Sequence, residues 1–556
     1  MSRLASALVP FVAAAALFAQ QVPFDPNEDA CTSIMVSRGA SADGSVMITY
    51  SADAPFFPKL LHHQGGQHTA GELVDLVAWE DDRVRGQYRQ VEHTWSVVGL
   101  INERQLALGE TTTGGRPELR DPEGMLDYDG LMWLTLQRAA TAKEAIATID
   151  ALCREYGYGS SGETFAIADP DEAWVMEIIG KGPSNRAPSN KGAVWVAARV
   201  PEGCISASAN MARIGTFPLD DPDNWRYAPE VIEFAVERGY WSPASGKPFS
   251  WRDAYHPDPD ARSKRACATR VWSIFRRAAP SLELSPDFHR GVVGAEPYPL
   301  FVEVDQKLAV RDVMALMRDH YEGTPFDMTK GLAAGPFHSP MRFRGLTFAV
   351  DGVDCAWERP IATQQAGFVM LAQCRRWLPD PVGGVYWFTP DDPYTSCFTP
   401  LYCGISRLPE SYVRGDYRSF AWDSAWWMFN LVSNLTYDRW SRVLPDVLAA
   451  QQAHEQRCLQ MMPAIERAAA ELVQQDPALA RRFLTDWSLG TADSLFADWQ
   501  QLATQILTKH VDGYQRDANG RSRSPGYDEE WLRRVLADQG ELVRLPQKGG
   551  KGEGDH

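Results

Sequence analysis

The chain is 556 residues long, 44% hydrophobic and 23% charged, a globular composition with enough length to bury a large core in two or more structural units. Its formal net charge of −17 excludes the basic surface that a phosphate backbone demands, so nucleic acid is not an expected partner. The same charge favours solubility and says little about substrate.

In chain order, Met1-Ser-Arg3 precedes a nearly continuous, Ala-rich apolar run from Leu4 to Ala19, which polar Gln20-Gln21 end. One positive charge, a short apolar core and small residues before a polar break predict a secretory signal peptide over 1–19. The run, about 15 residues, falls short of the roughly 20 needed to span a bilayer. A signal anchor is the alternative reading, and no later run is long enough to span. Residues 20–30 are polar and read as a leader. Asp29-Ala30 lacks the apolar residues expected before a lipidated Cys, so Cys31 does not read as a lipoprotein anchor.

Cys31-Thr-Ser-Ile-Met-Val, then Asp43-Gly44, then Val46 to Asp53 predict a strand, a tight type I′ turn about Ala42–Ser45 and a returning strand. That hairpin brings Asp53 alongside Cys31. His62, His63 and His68 carry no acidic partner and no His-Glu-x-x-His spacing, and read as an exposed loop rather than a metal site. Thr94 to Thr112 reads as two β segments around Asn102-Glu103. Thr141-Ala-Lys-Glu144 is a capping box that opens a helix ending by Gly157. Gly157-Tyr-Gly159-Ser-Ser-Gly162 matches G-x-G-x-x-G, but it follows a helix and precedes a strand, the reverse of a dinucleotide site.

Glu163 to Ile179 is a hairpin with Asp169-Pro-Asp at its turn, and Gly192 to Asn210 adds two strands. A β meander with one helix packed on it is therefore expected over the first 180 or so residues after Cys31, an α+β arrangement. Asp220 to Ser263 reads as a surface excursion, Arg270–Arg277 and Val310–Tyr321 as helices, Glu358–Pro379 and Gly383–Phe388 as strands. Residues 410–545 are mostly helical in pattern, for example 443–470 and 477–506, and 546–556 form a polar, Gly-rich tail. The nine cysteines contain no Cys-x-x-Cys; in an exported chain eight could pair and leave one free, or most could be buried thiols.

The chemistry centres on Cys31. A chain-terminal Cys needs no His partner, because its own α-amine, with an ordinary pKa of about 7.7–8.0, can take the thiol proton. That requires the backbone before Cys31 to be cut; a buried strand cysteine is the plain alternative. Asp53 is placed to orient an ammonium, Asn210 at the end of Ser206-Ala-Ser-Ala could donate to an oxyanion, and Arg270, read as opening a helix, could hold Asp53 or a substrate carboxylate bidentately. Glu110 and the 220–263 excursion are candidate lining for the substrate amine and pocket.

The chain resembles the C69 family of dipeptidases, N-terminal nucleophile hydrolases related to penicillin V acylases and bile salt hydrolases. The resemblance rests on Cys31-Thr32, Asp43-Gly44-Ser45, Asp53, Asn102-Glu103, Ile167-Ala-Asp169 with Ala173-Trp174 and Glu177, Trp195 to Pro201, Ala209-Asn210 with Arg213-Ile214, Arg318 to Asp327, and Trp377-Leu-Pro with Trp387. It implies an αββα sandwich over 31–409 with a helical C-terminal region. It also implies amide hydrolysis through an acyl-enzyme, with Cys31 as nucleophile, Asp53 orienting its amine, Asn210 as oxyanion donor and Arg270 as supporting cation. No metal or cofactor is expected. Tyr50 stands where many relatives carry Arg, so it lacks the charge that depresses a thiol pKa; with Glu110 it is a candidate substrate-binding residue. The expectation is an exported cysteine dipeptidase acting on short peptides. An amide hydrolase of the same fold acting on acylated amines, or an inactive binding protein that keeps residues 20–30, are the alternatives.

Overall fold

The computed structural model describes residues 30–53, 56–79, 82–257, 259–340 and 347–546. The expected signal peptide, nearly all of the expected leader, and the tail from 547 lie outside the described residues.

Two antiparallel sheets form the centre. The first contains β1 (Ala30–Val36), β2 (Val46–Asp53), β10 (Cys204–Ser208), β12 (Val302–Glu303), β13 (Phe368–Cys374), β14 (Val385–Pro390) and β15 (Thr399–Tyr402), in the order β12-β10-β1-β2-β13-β14-β15. The second contains β3 (His62–His63), β4 (Val97–Val98), β5 (Ile101–Asn102), β6 (Ala107–Gly114), β7 (Gly162–Ala168), β8 (Ala173–Gly180), β9 (Ala193–Arg199) and β11 (Trp225–Tyr227), in the order β11-β9-β8-β7-β6-β5-β4-β3. β1 and β2 pack across onto β6 and β7. Every residue of β2, β7, β8 and β13 is buried. Strands covered on both faces need this: one face meets the other sheet, the opposite face meets helices.

Helices α1 (Tyr128–Arg138) and α2 (Ala142–Tyr156) pack along the second sheet. The first sheet is covered by α3 (Ala261–Ala278) and by α5 (Ala425–Asp438), α6 (Trp440–Gln475) and α7 (Pro477–His510), with the short α4 (Val310–Met317) between. The molecule is the α+β, αββα sandwich expected. α2 begins where its cap predicts: Thr141 Oγ1 accepts from the Glu144 N–H at 3.2 Å, and Glu144 Oε2 reaches back to the Ala140 N–H at 2.8 Å. Gly157 ends it with φ of 81°, a conformation other residues adopt only with strain.

Several sequence expectations are corrected. The turn between β1 and β2 is not a two-residue type I′ turn. A short 3₁₀ segment, Arg38–Ala40, intervenes, and of Asp43 and Gly44 only Gly44 has positive φ, while Asp43 Oδ1 accepts from the Ser45 N–H and hydroxyl. The segments up to Asn210 do not make one meander: β10 crosses back to pair with β1 in the other sheet. His62 and His63 form an edge strand against Val97–Val98, and His63 and His68 both bond the Thr94 hydroxyl. The 220–263 excursion is anchored, with Trp251 and Tyr255 fully buried. Of the two readings of the nine cysteines, the structure bears out buried thiols: all nine are free and most are buried.

Candidate active site

The hairpin register sets the first distances. Ala30 pairs with Asp53 and Cys31 with Ala52 at the open end of the β1–β2 pair. Cys31 is partly exposed and lines a cavity of about 1440 Å³, together with Tyr50, Asp53, Glu110 and Asn210; Arg116, Arg252 and His256 line the same cavity. The excursion thus supplies part of the wall, as expected of it.

The Cys31 nitrogen donates to Asn210 Oδ1 at 2.9 Å, and Arg270 Nη2 donates to the same oxygen at 3.0 Å. Two donors converging on one atom fix it as the amide oxygen. The Nδ2 end donates to the Thr112 carbonyl at 2.8 Å. Asn210 therefore faces the Cys31 nitrogen with an acceptor, and one of its two Nδ2 hydrogens is bonded to Thr112. Its φ of 59° puts it in the left-handed region that Asn tolerates better than most residues. That backbone turn, directly after β10, aims the side chain at β1.

Arg270 is revised. It lies in the middle of α3 rather than at its start, and it is 0% exposed. Its five N–H groups go to the carbonyls of Ala266, Cys31 and Ala209, the Thr32 hydroxyl and Asn210 Oδ1, all neutral acceptors at 2.7–3.4 Å. It does not hold Asp53. The cation nearest that carboxylate is Arg359, with Nη2 at 3.7 Å from Asp53 Oδ2 and 1% exposure. Sequence reasoning missed Arg359. The signal was indirect: Tyr50 brings no charge, so a buried Asp53 needed a cation from elsewhere.

On the other flank, Glu110 Oε1 lies 3.6 Å from Cys31 Sγ and accepts from the Tyr50 hydroxyl at 2.6 Å. Glu163, on the neighbouring strand β7, backs Glu110, and both are 1% exposed. Burial, then the Glu110 charge, pushes the Glu163 carboxyl well above the usual carboxylate range. Burial, then Glu110 and Asp53, pushes the Cys31 thiol well up. Burial also raises Asp53 to about 6, against the opposing pull of Arg359 and then Arg270. Tyr50, buried beside Glu110, is held well above the ordinary phenol value and stays a neutral donor. With a peptide nitrogen at Cys31, then, the sulfur is kept protonated among carboxylates. Among the described residues, no group of three or more His, Cys, Asp or Glu is arranged to hold a metal ion.

The model of peptidase family C69 matches residues 76–453, a span that holds Glu110, Glu163, Asn210, Arg270 and Arg359 and begins after Cys31 and Asp53. Similar proteins include a probable dipeptidase of Latilactobacillus sakei, 25% identical over 399 residues, covering 69% of this chain and 76% of that one. A probable dipeptidase of Salmonella dublin is 25% identical over 398 residues (68% and 81%), and dipeptidase A of Lactobacillus helveticus 24% over 435 residues (73% and 81%). With more than half of its length matched, and its fold that of the sandwich described above, the chain belongs to peptidase family C69 and is a hydrolase acting on peptide bonds.

Proposed function

We propose that the protein is an exported cysteine-type dipeptidase in which removal of residues 1–30 makes Cys31 the first residue and the nucleophile. The freed α-amine takes the thiol proton, the thiolate attacks the scissile carbonyl, and the same amine protonates the departing amino group. Water then cleaves the thioester, with the amine as base again. Arg270, bonded to the Cys31 carbonyl, and Asn210 Oδ1, bonded to the Cys31 nitrogen, hold the nucleophile's backbone. Asp53 holds the new ammonium. Glu110, steadied by Tyr50, receives the free amine of the substrate, and Arg116 and Arg252 on the cavity wall suit its carboxylate. A short zwitterionic peptide matches a cavity with carboxylates at one place and guanidinium groups at another. Export is supported by Arg3 and the apolar run from Leu4 to Ala19.

The observation that carries this reading is the pair of groups around the Cys31 nitrogen. An acceptor lies 2.9 Å from it, and a carboxylate buried to 1% exposure stands on β2 opposite Ala30, one position from Cys31, an arrangement a terminal ammonium satisfies better than a peptide N–H. Intact-mass analysis of the exported protein tests it together with turnover of Ala-Ala and of N-acetyl-alanine amides. The expected result is a chain beginning at Cys31 that cleaves the dipeptide and spares the acylated amide, and that Cys31→Ala abolishes with the fold intact. An active enzyme still carrying residues upstream of Cys31 overturns the proposal.

A further inference from the structure

We propose that Arg359 is a positioning residue that keeps Asp53 ionised so that Asp53 can hold the Cys31 amine, and that Tyr321 fixes Arg359 for this task. The inference rests on the reading of Cys31 as an N-terminal nucleophile and adds a residue to its machinery.

Neither Asp53 oxygen accepts a hydrogen bond of good geometry among the described residues, although the side chain is buried. The groups that face it are Arg359, Arg270 from α3, Cys31 from β1, the Ser51 hydroxyl from β2, and Asp392 just after β14. Asp392 opposes ionisation, and the Ser51 hydroxyl, whose oxygen accepts from the Thr32 N–H at 3.0 Å, favours it less than Arg359 and Arg270 do. The donors of Arg270 are all spent on neutral acceptors. Arg359 is left as the cation in ion-pair range of Asp53. It is also the largest opposing influence on the Asp53 carboxyl, which burial raises to about 6.

The placement of Arg359 explains a stretch of sequence whose role was otherwise open. Arg318 to Asp327 forms a tight turn: the Tyr321 carbonyl accepts from the Thr324 hydroxyl at 2.7 Å, and the Met328 N–H returns to the His320 carbonyl at 3.1 Å. Tyr321 sits in that turn at φ of 65°, a conformation unfavourable to an aromatic residue, and it is fully buried. Its hydroxyl donates to the backbone carbonyl of Arg359. Three residues on, the Ala362 N–H bonds the Asp319 carbonyl of the same turn at 3.3 Å. The segment bearing Arg359 is thus tied at two points to one strained turn.

The test is the pH profile of kcat/KM for Ala-Ala, from pH 5 to 9, on mature full-length protein. Its variants are Arg359→Met, Arg359→Lys and Tyr321→Phe, each checked by intact mass for a chain beginning at Cys31. Removing the cation is expected to move the acidic limb of Arg359→Met upward by about one pH unit or more, the usual effect of a close opposite charge. Activity at pH 6 then falls about tenfold further than activity at pH 8. Arg359→Lys brings the limb back, and Tyr321→Phe moves it partway. A uniform loss at every pH with the limb unmoved, or a limb that Arg359→Lys fails to restore, overturns the proposal. If Arg359→Met does not mature, an unmoved limb in Tyr321→Phe does the same. Turnover that survives Cys31→Ala brings down the underlying reading instead, so the two failures are told apart.

Discussion

On one side of Cys31, strands β6 and β7 present Glu110 and Glu163; on the other, α3 and the segment before β13 present Arg270 and Arg359. The cationic side is bound up in structure. Arg270 spends every donor on backbone carbonyls, a hydroxyl and an amide oxygen, so its charge orients dipoles and does not neutralise a carboxylate. The anionic side has the opposite character. Its carboxylates are buried close together, Glu163 is pushed toward its neutral form, and the neighbouring thiol is harder to ionise for it. One flank therefore fixes the backbone of the nucleophile, while the other is electrostatically incomplete until a cation arrives. The substrate amine is the cation that the proposed function supplies to it.

The sharpest way to break this contrast is Arg270→Met. It removes five hydrogen bonds to buried acceptors at once, and losses of that kind cost about 3–5 kcal/mol. Urea unfolding should show the drop, and Arg270→Lys should recover only part of it, because an ammonium cannot reproduce the planar fork. A Met variant within about 1 kcal/mol of wild type would mean that Arg270 is not a structural anchor.

Asp53 sharpens the contrast through pH. In the uncut chain its carboxyl is raised from 3.8 to about 6, so between about pH 4 and 6 the folded state binds more protons than the unfolded one. Stability from this group is therefore lost as pH rises through that window. The loss amounts to about 3 kcal/mol above it, taking 1.36 kcal/mol per pKa unit. Asp53→Asn in the uncut chain should lose less stability than wild type between pH 4 and 7, while its matured form loses activity. Parallel stability curves for the two proteins would show that Asp53 is not held against its charge.

What is legible in the sequence follows the range of the interactions. The β1–β2 hairpin, the Thr141 cap and the Asp169 turn are local, and the residues that make them lie within a few positions of one another. The pairing of Asp53 with the Cys31 end follows from that hairpin alone. Asn210 and Glu110 stand out by residue type, but what each atom faces is not readable. The orientation of the Asn210 amide depends on the Thr112 carbonyl and on Arg270, 60 residues farther along the chain. Arg270 reads as a helix start because the residues up to Ser263 read as a surface excursion, although Asp260 caps the helix that begins at Ala261 by accepting from the Ser263 N–H at 2.8 Å. Arg359 is invisible, since its link to Asp53 depends on a turn around Tyr321 that no periodicity reveals.

Glu110→Gln gives the smallest and most discriminating effect. The substitution keeps the shape of the side chain and removes the charge 3.6 Å from the sulfur. Two readouts should then move in opposite directions. Without Glu110 to oppose it, the thiolate is easier to form, so Cys31 alkylation by iodoacetamide at pH 7 should quicken by severalfold. The substrate ammonium loses its partner, so KM for Ala-Ala should rise about 10–100-fold, the range for one desolvated ion pair. A merely structural Glu110 would slow both or move neither. If alkylation slows while KM is unchanged, the carboxylate serves the thiol rather than the substrate, and the asymmetry between the two flanks disappears.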